Sequence, residues 1–127
     1  MRILVVEDNP NYVDWFTRTF VGHHLDVVNR PWTAQYLLGG LEYTVLCLDH
    51  DLGCEPHVGR DVSAWLLANP DQQRNLRIVV HSQNSVSGPK IERELAAADR
   101  DVTWHAFDAS PELALLIRDG RIIRAHN

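Results

Sequence analysis

Long apolar runs are missing from this 127-residue chain. No stretch approaches the ~20 residues a helix needs to cross a bilayer, which excludes a helical membrane span. The apolar opening at residues 1–6 turns acidic at Glu7-Asp8. It is too short for a signal-peptide core and has no cleavage site, so the expectation is a chain kept in the cytoplasm. Cysteine is scarce, with Cys47 in an apolar run and Cys54 in a polar one. They lack both C-x-x-C spacing and a secreted context, and read as two reduced thiols. Basic residues are also short, 12 Lys and Arg against 17 Asp and Glu, for a net charge of −5. That balance excludes a generic coat for double-stranded nucleic acid. A small phosphate ligand stays compatible, because a metal or a helix N-terminus offsets negative charge locally. Repeats, linkers and low-complexity stretches are absent as well. With 45% hydrophobic and 23% charged residues the composition is that of an ordinary globular domain, which excludes disorder. One domain over 1–127 is expected.

What is present is an alternation of short apolar runs and helically patterned segments. Residues 2–6 read as a buried strand. Asp8-Asn9-Pro10 then offers a cap with Pro in the first turn, and Val13, Phe16 and Phe20 follow at helical spacing. Residues 25–28 read as a second strand, 32–38 as a short helix ended by Gly39-Gly40, and 44–48 as a third strand. A long loop with Gly53, Pro56 and Gly59 precedes a helix marked by Val62, Trp65 and Leu66, which stops before Asn69-Pro70. Residues 77–80 are a fourth strand, 89–98 a helix striped by Ile91 and Leu95, and 102–104 a weak fifth strand. Ser110-Pro111-Glu112 caps a last helix that Gly120 ends. Five strands alternating with five helices predict an α/β domain with a parallel sheet, right-handed crossovers and helices on both faces.

In such a sheet the ligand site lies beyond the carboxyl ends of the strands. The residues expected there are Glu7 and Asp8 after the first strand and Asp49, His50 and Asp51 after the third. His81, Ser82, Gln83 and Asn84 follow the fourth, and His105 the fifth. All the candidate chemistry therefore falls on one edge. His23, His24, His57 and His126 receive no role. Trp15, Trp65 and Trp104 read as core or core-edge residues, and Trp32 as partly exposed.

These residues resemble the receiver domain of bacterial response regulators over nearly the whole chain. Val5-Val6-Glu7-Asp8 looks like the acidic pair that holds Mg²⁺ in receivers. Asp49 matches the aspartate that accepts a phosphoryl group, and Ser82 the hydroxyl residue that contacts it. One departure stands out: receivers carry a lysine near the end of the fifth strand, and Trp104-His105-Ala106-Phe107 has His105 there. A closer resemblance is to the cyclic-phosphate processing receiver domains. It rests on Leu48-Asp49-His50-Asp51-Leu52-Gly53 together with His81-Ser82-Gln83-Asn84, with Gly88 a few residues on. Gly59-Arg60-Asp61-Val62 and Trp65-Leu66 resemble that family's third helix.

The resemblance implies a flavodoxin-like receiver domain that processes cyclic nucleotide phosphates. Glu7, Asp8, Asp49 and Asp51 would converge on Mg²⁺ or Mn²⁺, since crowded carboxylates repel one another without a cation. Asp8 alone could instead cap the first helix, and Asp51 could shape the loop. His50 or His81 would protonate a departing ribose oxygen, although His50 would point away from Asp49 if the strand persisted. Likewise His81 and Ser82 would face opposite ways. Ser82, Gln83, Asn84 and His105 are candidate phosphate contacts, as are the amides at the Gly88-Pro89 helix start; Lys90 and Arg60 are reserve cations. The expected activity is a metal-dependent phosphoesterase acting on 2′,3′-cyclic ends of a small nucleotide or an RNA, through water or through phospho-Asp49. The alternatives are a receiver phosphorylated at Asp49 that signals through a protein partner, and a non-catalytic binding module. Receiver-like domains often dimerise, so the resemblance also admits a homodimer.

Overall fold

The computed structural model describes residues 1–50 and 59–120. Strands β1 (Arg2–Val6), β2 (His24–Val28), β3 (Val45–Leu48), β4 (Arg77–Val80) and β5 (Asp101–Trp104) alternate with five helices. These are α1 (Pro10–Thr19), α2 (Pro31–Gly40), α3 (Arg60–Ala68), α4 (Ser87–Ala97) and α5 (Pro111–Asp119). The sheet is parallel throughout, in the order β2-β1-β3-β4-β5. That is the order of flavodoxin-like doubly wound sheets, and it places β1 and β3 side by side at the centre.

The pleat divides the sheet between two cores. Leu4, Val6, Leu46, Leu48, Ile78 and Val80 face α2, α3 and α4, which contribute Ala34, Leu38, Val62, Leu66, Ile91 and Leu95. Ile3, Val5, Val45, Cys47 and Val79 face the other way, against Phe16 of α1, Phe20 just past its end, and Leu113, Leu116 and Ile117 of α5. Burial on both faces is why β1, β3 and β4 are unbroken apolar runs. The edge strands β2 and β5 are only partly buried.

The helix ends follow local chemistry. Asn9, rather than Asp8, caps α1 by accepting the amide of Asn11. Ser110 caps α5 through the amide of Leu113, and Gly120 ends that helix in the left-handed region at φ 78°. Several boundaries shift by one or two residues from the sequence expectation, α4 starting at Ser87 and not at Pro89; α2 runs through Gly39 and Gly40 and stops at Leu41, whose amide still bonds to Leu37 O at 2.9 Å. Neither glycine takes a positive φ. A β-carbon on Gly39 would sit in ordinary contact with Trp65, 3.8 Å away. No helix of the described residues is long and apolar enough to cross a membrane.

Candidate functional site at the carboxyl edge of the sheet

Ladder bonds continue one residue past β1, β3, β4 and β5. Glu7 N donates to Val28 O (2.9 Å), Asp49 N to Val6 O (3.1 Å), His81 N to Leu48 O (3.0 Å) and His105 N to Val80 O (2.9 Å). Because the strands are in register at Val6, Leu48, Val80 and Trp104, these four residues form one row across the sheet edge. They share the pleat parity of Val5, Cys47 and Val79, so the row belongs to the α1/α5 side. Asp8, His50 and Ser82 have the opposite parity.

The row is knit together by Glu7, which is buried to 1% exposure. Its Oε1 accepts Nε2 of His81 at 2.7 Å, and its Oε2 accepts the amides of Asp8 and Asn9, both at 3.0 Å. Ligand atoms of Glu7, Asp49 and His81 lie within 4.8 Å of one another. Burial by itself would raise the Glu7 carboxyl. The hydrogen bond and charge of His81, the Asn9 amide and a hydrogen bond with Asp49 outweigh it, so the carboxyl lies below its ordinary value. Carboxylate oxygens gathered this closely repel one another unless a cation lies between them, which is how the donor set fits Mg²⁺ or Mn²⁺. Loss of water and then the neighbouring Glu7 charge hold the Asp8 carboxyl above its ordinary value, against the pull of Arg30.

A cleft of about 230 Å³ opens over this row, lined by Glu7, Asp8, Asn9, Tyr12, Asp49 and Gln83. His81 is fully buried beneath it, edge-on to Phe16 with ring centroids 5.2 Å apart and to Phe107 at 6.2 Å. Since the Glu7 carboxylate only accepts, Nε2 of His81 carries the hydrogen between them. Its Nδ1 is buried without a partner among the described residues.

The other expected site residues are distributed more widely. His50 is half-buried directly after Asp49, and its carbonyl accepts Gly59 N, which ties the end of β3 to the start of α3. A β-carbon on Gly59 would fall 1.7 Å from Asp49 O, so only glycine fits. Ser82 is buried; its hydroxyl accepts Asn84 N and its carbonyl accepts Nε1 of Trp104. Asn84 Oδ1 takes the amides of Val86 and Ser87, and its carbonyl takes Gly88 N. The amides expected at the start of α4 are therefore already bonded to Asn84. Gln83 Nε2 donates to Phe107 O at 2.7 Å and to the Tyr12 hydroxyl at 3.0 Å. His105 sits in the row, but its Nδ1 bonds Ala106 O at 2.8 Å and its Nε2 lies 4.0 Å from Asp108. Arg60 pairs with Glu94 on the surface, and Lys90 is exposed on α4. Asp51 and Cys54 lie outside the described residues, as do His57 and His126. Cys47 is a buried free thiol. Sequence patterning also passed over Tyr12, four residues before Phe16 on the inward stripe of α1.

This topology, with acidic residues gathered at the ends of β1 and β3, defines a receiver-type domain. The family model described as "Cyclic-phosphate processing Receiver domain" matches residues 3–97. The chain belongs to that family. No curated protein matches it. Among solved structures it is similar to a sensor protein from Polaromonas sp. JS666, at 22% identity and a TM-score of 0.70, covering 91% of both chains. It is also similar to a response regulator from Burkholderia pseudomallei with a phosphorylated aspartic acid, calcium ion and citrate, at 19% identity and a TM-score of 0.70. That match covers 91% of this chain and 65% of the regulator's length. A third is the receiver domain of a sensor histidine kinase from Pseudomonas aeruginosa PAO1 with a magnesium ion in its active-site cleft. It is 20% identical, with a TM-score of 0.64, covering 91% of this chain and 95% of that one. At these identities the likeness is one of fold.

Proposed function

We propose that the protein is a metal-dependent phosphoesterase acting on cyclic nucleotide phosphates, with 2′,3′-cyclic ends as the substrate class. The observation that carries this reading is the convergence of Glu7, Asp49 and His81 under one cleft that Asp8 also lines. The family's description, cyclic-phosphate processing, supports a cyclic phosphate as substrate. The magnesium ion in the cleft of the Pseudomonas receiver domain is a parallel for the cation.

Asp8 and Asp49 would hold Mg²⁺ or Mn²⁺, with the one lone-pair direction of Glu7 Oε1 that His81 leaves open. The cation would supply charge neutralisation at the phosphoryl oxygens and a lowered pKa for an attacking water. The protein's own groups do the remainder. Glu7, fixed by two backbone amides and His81, keeps Asp8 and Asp49 in place and supplies fixed negative charge. His81 is sealed from the cleft and acts by orienting Glu7, in the way a carboxylate–histidine pair orients a metal site. The departing ribose oxygen needs a proton. His105, at the end of the row, and His50, next to Asp49 in the chain, keep some exposure. We assign proton delivery to His50. Gln83, whose amide hydrogens go to Phe107 O and the Tyr12 hydroxyl, offers the phosphate no donor.

The test is phosphorus NMR of the purified protein with Mn²⁺ and 2′,3′-cyclic nucleotides. Loss of the cyclic resonance, abolished by chelator and by Asp49→Asn in a folded variant, is the expected result. An unchanged spectrum after long incubation, or full activity of Asp49→Asn, overturns the reading.

A second reading has its own observation: Asp49 ends the central strand, as the phosphoryl acceptor does in the receivers this chain resembles. Under it Asp49 takes a phosphoryl group and the domain signals through a protein partner. Against it, neither lysine nor arginine is among the described residues lining the cleft, where a basic side chain would steady an aspartyl phosphate. A stable phosphoryl adduct on Asp49 after acetyl phosphate treatment, without turnover of cyclic nucleotides, would favour it.

A further inference from the structure

Resting on the cyclic-phosphate reading, we propose that the ring of Tyr12 is a stacking platform for the substrate's base, with Gln83 as its polar edge. The cleft is small. Its volume of about 230 Å³ lies below the ~300–1,000 Å³ of pockets that engulf a whole small molecule. It suits a phosphate and a cation, and the rest of a nucleotide must lie across the rim. Tyr12 is the aromatic residue of that rim.

The ring is held before any ligand arrives. One face stacks on Phe107, with centroids 3.8 Å apart and planes 17° from parallel. Phe107 is itself buried and meets Trp15 edge-on at 5.3 Å. The phenol oxygen accepts Gln83 Nε2, and the same nitrogen donates to Phe107 O. The plane and the tilt of Tyr12 are thus anchored from two sides, so little side-chain freedom is left to lose on binding. Among the described residues no second ring covers it. A half-buried aromatic face beside a phosphate-sized cleft accepts any base by stacking.

Gln83 adds a preference. The backbone carbonyl of Phe107 can only accept, so the amide nitrogen of Gln83 must face it, and both amide hydrogens are spent. Oε1 remains as an acceptor at the rim. It suits a base with an exocyclic amino group, such as adenine or cytosine, over uracil.

Calorimetry with Mn²⁺ and two slowly hydrolysed probes tests the proposal: the 2′,3′-cyclic phosphorothioate of adenosine and its base-free ribose counterpart. The unmodified protein should bind the adenosine compound about ten-fold tighter, the scale of one base stacked on one ring. Tyr12→Leu should remove that advantage and leave the ribose compound's affinity unchanged. Tyr12→Phe, which keeps the ring, should retain most of it. Equal affinities in the unmodified protein, or an advantage that survives Tyr12→Leu, overturn the platform and leave the cyclic-phosphate reading standing. Loss of both ligands in a folded Tyr12→Leu variant also overturns it, since Tyr12 would then serve the cleft as a whole. Binding of neither probe to the unmodified protein overturns the platform together with the reading it rests on.

Discussion

The side chains of Glu7 and His81 bond at 2.7 Å although their strands are not neighbours. β3 runs between β1 and β4, so the two backbones are roughly 9.5 Å apart, twice the strand spacing. The bond closes over the end of β3, where Asp49 stands. Glu7, Asp49 and His81 are thereby one unit, and removing a partner changes the other two.

The first consequence is a stability test. His81→Leu leaves a buried carboxylate without its partner and should lower the unfolding free energy by about 3 kcal/mol or more. The double variant Glu7→Leu/His81→Leu removes both polar groups and should recover part of that loss. Full recovery is not expected, because the Asp8 and Asn9 amides also lose Oε2. Chemical denaturation of the two variants checks the ordering. A single variant as stable as the unmodified protein would contradict it.

Cation binding should depend on pH. Asp8 holds its proton above the ordinary carboxylate value, so a divalent ion must displace a proton at pH values where a free Asp would already be ionised. Mn²⁺ affinity should therefore rise as pH rises through that raised range. The two carboxylates have opposite effects on the metal-free fold. Asp8, with its folded value raised, contributes stability that is present below its unfolded value and lost as pH rises through the folded one. Glu7, with its folded value lowered, contributes stability that is present above its unfolded value and lost as pH falls through the folded one. Titration calorimetry between acid and neutral pH, beside thermal unfolding with and without Mn²⁺, reads both.

Two glycine substitutions should act in opposite directions. Gly59→Ala places a β-carbon 1.7 Å from the Asp49 carbonyl, and that backbone has to move. The variant should lose about 2 kcal/mol of stability and bind Mn²⁺ more weakly. Gly39→Ala, inside α2 and in ordinary contact with Trp65, should gain about 0.5–1 kcal/mol. Equal behaviour of the two would undo the steric account of Gly59.

Cys47 should be inert. It is buried in the α1/α5 core, and loss of water pushes its thiol well above the ordinary range. In a Cys54→Ser background a thiol reagent should label nothing until denaturant unfolds the chain. Rapid labelling of the native variant would show that the core opens.

Much of the fold was legible because its signals are local. The unbroken runs at residues 2–6 and 77–80, the Ser110-Pro111 cap and Gly120 each record a chemistry that acts within a few residues, and the structure keeps all of them. Alternation of such runs with helical stripes then implied the parallel sheet, since parallel strands need crossovers. Glycine in α2 misled for the opposite reason. Gly39-Gly40 reads as a stop, but helical hydrogen bonding carries the last turn through it.

The site was legible as a collection of residues at one edge, and not as a geometry. Sequence pattern could name Glu7, Asp8, Asp49, His81 and Ser82 together. It could not say that His81 and Ser82 are both buried, that Asn9 takes the cap and leaves Asp8 at the cleft, or that Asn84 consumes the amides of α4. The burial of His81 depends on register between strands far apart in the chain, whereas Asn9 and Asn84 settle a local competition among neighbouring polar side chains for the same amides. Tyr12 was hidden because on the helix it is one more apolar position, and only packing against Phe107, 95 residues later, turns it to the rim. The sequence by itself determined which side chains meet at the edge of the sheet. Tertiary packing decided which of them face the cleft, because that depends on pleat parity and on which polar atoms find partners first.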